Sequence, residues 1–85
     1  MERVRWADAR YRDEAGREHT LRYDLLLEAG VEGVRYGVSV QDRAGDGAQV
    51  RDLTSRRERA EEVLALLARN TVTPVTLRDV IDDLL

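Results

Sequence analysis

Gly47-Ala48-Gln49-Val50-Arg51-Asp52-Leu53-Thr54-Ser55-Arg56-Arg57-Glu58-Arg59-Ala60-Glu61-Glu62-Val63-Leu64-Ala65-Leu66-Leu67 decides the fold, because the apolar period changes part-way along it. Ala48 to Leu53 reads as a strand, entered through Asp46-Gly47, a strong signal for a two-residue hairpin turn. From Ser55 onward the period is 3.6. Ala60, Val63, Leu64 and Leu67 make an i, i+3, i+4, i+7 stripe that Leu66 widens, the pattern of a helix with one buried face. Ser55-Arg56-Arg57-Glu58 has the capping-box form, in which the Ser hydroxyl and the Glu carboxylate satisfy N–H groups of the first turn reciprocally. Strands precede this point and helices follow it.

Upstream, Val34, Tyr36, Val38 and Val40 alternate strictly with Arg35, Ser39 and Gln41, which predicts a third strand with one face inward. Ala29 to Gly33 is a turn before it. The second strand, about Glu18 to Glu28, puts His19, Leu21, Tyr23, Leu25 and Leu27 on one face and Thr20, Arg22 and Asp24 on the other, with Leu26 as the odd residue on the polar side. Asp13-Glu14-Ala15-Gly16 is a hairpin loop in which Gly16 supplies a positive φ. The first strand, about Glu2 to Arg12, carries a conflict of parity: Val4 and Trp6 share one face, Ala7, Ala9 and Tyr11 the other. Either a bulge lies near Ala7-Asp8 or one set faces outward. The connections are too short for parallel crossovers, so the pairing is antiparallel.

Downstream, the first helix is expected to stop at Arg69-Asn70, with Asn70 in the left-handed cap conformation. Val72-Thr73-Pro74-Val75 is an extended joint, since Pro74 disfavours helical geometry at Thr73. Thr76 caps a second helix in which Leu77, Val80, Ile81 and Leu84 repeat the stripe to the C-terminus. The expected fold is α+β, a single domain over residues 1–85. It is a four-stranded antiparallel meander (ββββαα) with two C-terminal helices packed on one face. The expected core is Leu21, Tyr23, Leu25, Leu27, Val34, Tyr36, Val38, Val40 and Val50 of the strands with Val63, Leu64, Leu67, Leu77, Val80, Ile81 and Leu84 of the helices.

Composition narrows the function classes. An 85-residue chain folding alone buries roughly 60–65% of its unfolded surface, so its stability is modest. No apolar run approaches ~18 residues and the N-terminus has no apolar core of a signal peptide, which leads us to expect a cytoplasmic protein without membrane contact. With no Cys, disulfide and thiolate chemistry are excluded. All 14 basic residues are Arg, consistent with codon bias in a GC-rich genome, and the net charge of −3 speaks against general nucleic-acid binding. That acidity resides in the tail, where Glu61, Glu62, Asp79, Asp82 and Asp83 outnumber Arg69 and Arg78.

Candidate chemistry falls away in turn. His19 is the single histidine and reads as a rim residue of strand two. Ser39 lies mid-strand and Ser55 is taken as a cap, so no nucleophile elbow is present. Asp42 to Leu53 lacks calcium-loop chemistry at its third position, Ala44, and at its twelfth, Leu53. Asp79, Asp82 and Asp83 read as a solvated helix face, so no metal, cofactor or catalytic residue is assigned and no enzyme is expected. Two features break local rules. Arg56, Arg57 and Arg59 crowd the start of the first helix, where the macrodipole favours anions, and are the candidate anion- or partner-binding cluster. The bland account pairs Arg57 with Glu61 and Arg59 with Glu62. Trp6, Tyr11 and Leu26 form the candidate interface, on the expectation that strand one sends Trp6 or Tyr11 outward to join Leu26.

Tyr36-Gly37-Val38-Ser39-Val40, the helix Glu61-Glu62-Val63-Leu64-Ala65-Leu66-Leu67-Ala68 and above all Val72-Thr73-Pro74-Val75-Thr76-Leu77-Arg78-Asp79-Val80 resemble a small bacterial domain of unknown function, carried mostly by Gram-positive bacteria. The resemblance covers residues 34–85 well and the first two strands loosely. It implies the fold and a bacterial cytoplasmic origin, and transfers no catalytic residue. The expected role is a non-catalytic interaction module, either a homodimer or a small adaptor or regulator with a protein partner. The alternative is an anion or nucleic-acid binder using Arg-rich surface. One structural expectation is testable at once: a chain ending at Asn70 uncovers the sheet and is insoluble or lacks a cooperative melt by circular dichroism. A well-folded truncation refutes the packing.

Overall fold

The computed structural model describes residues 1–84; Leu85, the last residue of the expected second helix, lies outside the described residues. Four strands, β1 (Glu2–Arg12), β2 (Glu18–Gly30), β3 (Gly33–Asp42) and β4 (Gly47–Thr54), form one antiparallel sheet in the order β1-β2-β3-β4. Two helices follow, α1 (Arg57–Arg69) and α2 (Leu77–Leu84). The ββββαα architecture is the one the periodicity predicts.

The parity conflict in β1 is settled by a bulge between Arg5 and Ala7. Val4 pairs with Leu25, and beyond the bulge Ala7, Ala9 and Tyr11 pair with Tyr23, Leu21 and His19. The one extra residue moves the second apolar set onto the face of the first. Val4, Trp6, Ala9 and Tyr11 all pack against the helix-side core, and neither aromatic turns outward.

That core is built by Leu21, Tyr23 and Leu25 of β2, Val38 and Val40 of β3, Ala60, Val63, Leu64 and Leu67 of α1, Val72 of the joint, and Leu77 and Ile81 of α2. Burial of each large aliphatic side chain contributes roughly 1.5–3 kcal/mol before entropy is counted. Val34 departs from the expectation. It shares the parity of Tyr36 and Val38 yet is 42% exposed. The reason is reach: Tyr36 pairs with Thr54 and α1 begins only three residues later, so the β2–β3 hairpin runs on past the helix layer. Val31 at its tip is fully exposed, and Leu27 and Tyr36 at its base are partly buried. The molecule is correspondingly long, 48 × 24 × 17 Å.

Several local signals are displaced. The β3–β4 connection is the four residues 43–46, closed by the Gly45 N–H donating to Asp42 O with Gly45 at φ 96°, so Gly47 opens β4 instead of sitting in a two-residue turn. Ser55 does not cap α1; Arg56 occupies that position, with extended backbone and no side-chain cap. At the other end Asn70 stays at φ −95°, and Thr71, at φ 53°, takes the left-handed position. The Thr71 and Val72 N–H groups donate to Ala68 O and Leu67 O, the paired bonds of a Schellman ending, with Val72 buried beyond them.

The Tyr23 hydroxyl donates to the Val72 carbonyl at 2.9 Å, tying the joint between the helices to the middle of the sheet. Burial pushes this phenol up to about 12, from an ordinary value near 10. A raised acid favours the protonated native state, so this stability is present below the unfolded value and is lost as pH rises from about 10 to about 12. Tyr23→Phe leaves the Val72 carbonyl without its donor and is expected to cost about 1–3 kcal/mol at neutral pH. It should also flatten that alkaline limb, both effects read from urea melts across the pH range. A variant as stable as wild type at pH 7 refutes the role of the bond.

Candidate functional site

The face away from the helices is the most chemically loaded part of the molecule. Alternation along β2 sends Arg22, Asp24 and Leu26 outward, and the register sets Arg5 and Ser39 on either side of Asp24. Asp24 has no exposed surface, although no second layer covers it. Arg22 Nε donates to its Oδ1 at 2.9 Å, and Arg3 Nη1 stands 3.5 Å from Oδ2. Oδ2 itself accepts no hydrogen bond among the described residues. Arg3 also donates from Nη2 to Gln49 Oε1 at 3.2 Å, so its side chain crosses β2 and β3 to join the two outermost strands.

Gly37 makes the neighbouring closure possible. The β3–β4 register is irregular between Tyr36 and Val38, with Asp52 at φ 55°. A Cβ on Gly37 would lie 2.3 Å from Val50 O and 3.0 Å from Arg51 Cα, so the β4 backbone occupies the space a side chain would need. From there Arg51 bridges to Glu28 on β2, and Arg35 pairs with Asp52. Leu26, between Arg3 and Gly37 in the register, is only 1% exposed.

The three candidate interface residues are therefore not brought together. Trp6 and Tyr11 lie half-buried on the helix side, and Leu26 lies buried on the opposite face. Tyr11 stacks on His19, whose Nε2 is 2.7 Å from Asp13 Oδ2. Asp13 Oδ1 accepts from the Ala15 and Arg17 N–H groups, and these bonds, the one to His19 foremost, hold its carboxyl below the usual carboxylate range. The lone imidazole closes a turn. Of the helix-start arginines, Arg57 is 3.8 Å from Glu61 and Arg59 3.3 Å from Glu62, while Arg56 is the backbone cap.

Two depressions of about 330 Å³ each flank Asp24 and share Gln41. Arg5, Thr20, Arg22 and Arg43 line the first with Asp8 and Asp42; Arg3, Ser39 and Gln49 line the second. Arg5 is bridged to Asp8, so the first depression mixes both signs of charge. Among the described residues no group of His, Asp and Glu could hold a metal ion, and no helix is long and apolar enough to cross a membrane.

A sequence model of a family of unknown function matches residues 3–85, which takes in every element of the fold. The chain belongs to that family, DUF6514. No curated protein and no solved structure matches it. Within this DUF6514 chain, sequence reasoning passed over Asp24 and Gly37. Each left a signal: Leu26 is an apolar residue on a polar face, which calls for a cover, and a glycine inside a strand marks close backbone approach.

Gly37→Ala tests that closure. With Val50 O in the way, β4 must move, and the expected loss is about 1–3 kcal/mol, seen as a lower melting temperature. An unchanged melt means that β4 does not close over β3 as described.

Proposed function

We propose that this domain is a non-catalytic interaction module, acting in the bacterial cytoplasm as a homodimer or as a small adaptor or regulator of another protein. The observation that carries this reading is the end of the β2–β3 hairpin left bare by the helices. Val31 is fully exposed and Val34 is 42% exposed, above the half-buried Leu27 and Tyr36. Small monomers rarely leave contiguous apolar surface wet, and such surface is the usual mark of a protein contact.

Pairing of the arginines weighs against the anion- or nucleic-acid-binding alternative. Arg3, Arg5, Arg22, Arg35 and Arg51 each face a carboxylate, as do Arg57 and Arg59 on α1. A phosphate backbone would have to displace those carboxylates one by one before gaining the counterion release that drives such binding. The half-buried aromatics lie on the helix side, away from that face, so it offers no stacking platform.

Analytical ultracentrifugation tests the homodimer form. Wild type is expected to sediment as a dimer at micromolar concentration, and the double variant Val31→Glu, Val34→Glu as a folded monomer with an unchanged far-ultraviolet spectrum. Wild type that remains a 9.7 kDa monomer at its highest soluble concentration removes the homodimer and leaves the adaptor form. Tight oligonucleotide binding that collapses between roughly 50 and 200 mM salt would instead promote the nucleic-acid alternative.

A further inference from the structure

The free edge of β1 has a segment built unlike any other strand edge in the molecule. Beyond its bulge, β1 runs in unbroken register from Ala7, opposite Tyr23, to Arg12, opposite Glu18. The other outer strand offers less: β4 pairs regularly only over Gly47–Val50 before its irregularity and the left-handed Asp52. A regular strand edge presents a row of unpaired N–H and C=O groups, the template on which an extended segment adds. Here the side chains beside that row are also half-finished. On the helix side, Ala7, Ala9 and Tyr11 are partly buried, Ala9 and Tyr11 packed against the core below, with Trp6 next to them at the bulge. Tyr11 is stacked on His19, with ring centroids 4.9 Å apart and an interplanar angle of 16°, which gives the apolar step a supported aromatic ring.

The outward side chains of the same run set the chemistry of what would dock. Arg10 meets Glu18 only at 3.8 Å with its side chain 76% exposed, and among the described residues Arg12 forms no ion pair. Asp8 is already taken by Arg5. The run thus carries a surplus of uncommitted positive charge on its outer side and an apolar step on its inner side. A second β1 would bring the same surplus against itself, whereas a strand with acidic and apolar residues in alternation matches both sides at once.

We propose that Ala7–Arg12 of β1 is a receptor edge that takes up an extended, acidic segment of a partner protein as a fifth strand, its apolar residues over Ala9 and Tyr11 and its carboxylates beside Arg10 and Arg12. This rests on the interaction-module reading and deepens it by naming the partner's chemistry. The two can fail separately, because the sedimentation experiment addresses the hairpin and the following one addresses only the edge.

The probes are the capped octapeptides (Val-Glu)4 and (Val-Lys)4, titrated into the intact chain. Trp6, the single tryptophan, reports on the edge through its emission, and hydrogen exchange of the Ala7–Arg12 amides reports on strand addition. The acidic peptide is expected to shift Trp6 emission to the blue and to protect those amides, and the basic peptide to do neither. In the double variant Arg10→Gln, Arg12→Gln, which sets no like charge opposite Glu18 and whose melt should therefore stay close to wild type, affinity for (Val-Glu)4 falls at least tenfold while (Val-Lys)4 still fails to bind. Equal response to both peptides, response to neither, or protection of the edge by wild type's own concentration without any peptide each overturns the proposal.

Discussion

The hydrogen bond from Tyr23 to Val72 sets how the two layers meet. Tyr23 stands in the middle of β2 without exposed surface, and its hydroxyl fills the acceptor of a residue whose own N–H is already donated to Leu67 at the end of α1. Both polar groups of Val72 are therefore satisfied, one by the helix and one by the sheet, which is what allows this turn to be buried. The direction in which the chain leaves α1 follows. Thr71 must then adopt φ 53°, a conformation costing a β-branched residue roughly 1–2 kcal/mol. The paired Schellman bonds and the burial of Val72 beside Leu67 offset that cost. From there Thr73 and Pro74 carry the chain to Thr76, whose carbonyl accepts from Val80 to start α2, and Leu77 and Ile81 fall into the core.

The opposite face meets the same problem without a second layer. An apolar residue there would be wet, and Leu26 is there. The solution is a roof made of arginines, and arginine suits it because its methylene stem covers apolar surface while its guanidinium stays partly in water. Arg3 and Arg22 retain 35% and 42% side-chain exposure while both face Asp24. That division matters energetically. A buried carboxylate is costly to desolvate, and a fully buried pair often fails to repay the cost. Here only one partner gives up its hydration entirely, and two cations share the task of holding it. What Asp24 supplies is position more than stability: Arg3, aimed across the sheet by Asp24, meets Gln49 on the far strand.

Element order, strand pairing and helix stripes were legible because each rests on a period that spans many residues. The β1 conflict was legible too, as a choice between a bulge and an outward set, but not its resolution, because either answer satisfies the local pattern. Only the presence of Tyr23 and Leu25 across the pair, needing cover on one side, selects the bulge. Ser55 shows the opposite limit. Its capping box is sound by spacing, yet Thr54 Oγ1 accepts from the Arg56 N–H and the chain enters α1 one residue late. Val34 was misjudged because alternation reports which face a side chain takes and carries no information on how far the covering helix extends. Asp24 acts through single side chains of neighbouring strands and Gly37 through the lack of one, and no one-strand period encodes either.

The two incompletely covered surfaces have different origins and different places. The free edge of β1 belongs to any open sheet of this order, whereas the bare hairpin arises because a helix of 13 residues, α1, is laid against strands of 11 and 13 residues. At about 1.5 Å per helical residue against about 3.3 Å per strand residue, the helix spans roughly half the length of the sheet it covers. One uncovered end must therefore exist, and it falls at the β2–β3 hairpin. The regular run of the β1 edge lies toward the other end, where Arg12 pairs with Glu18, while Glu2 pairs with Leu27 near the bare hairpin. In a molecule 48 Å long the two surfaces are therefore well separated. Between the two surfaces the outer face is closed by arginines paired with their own carboxylates, so the bare hairpin end and the regular edge of β1 stay separate features of the sheet.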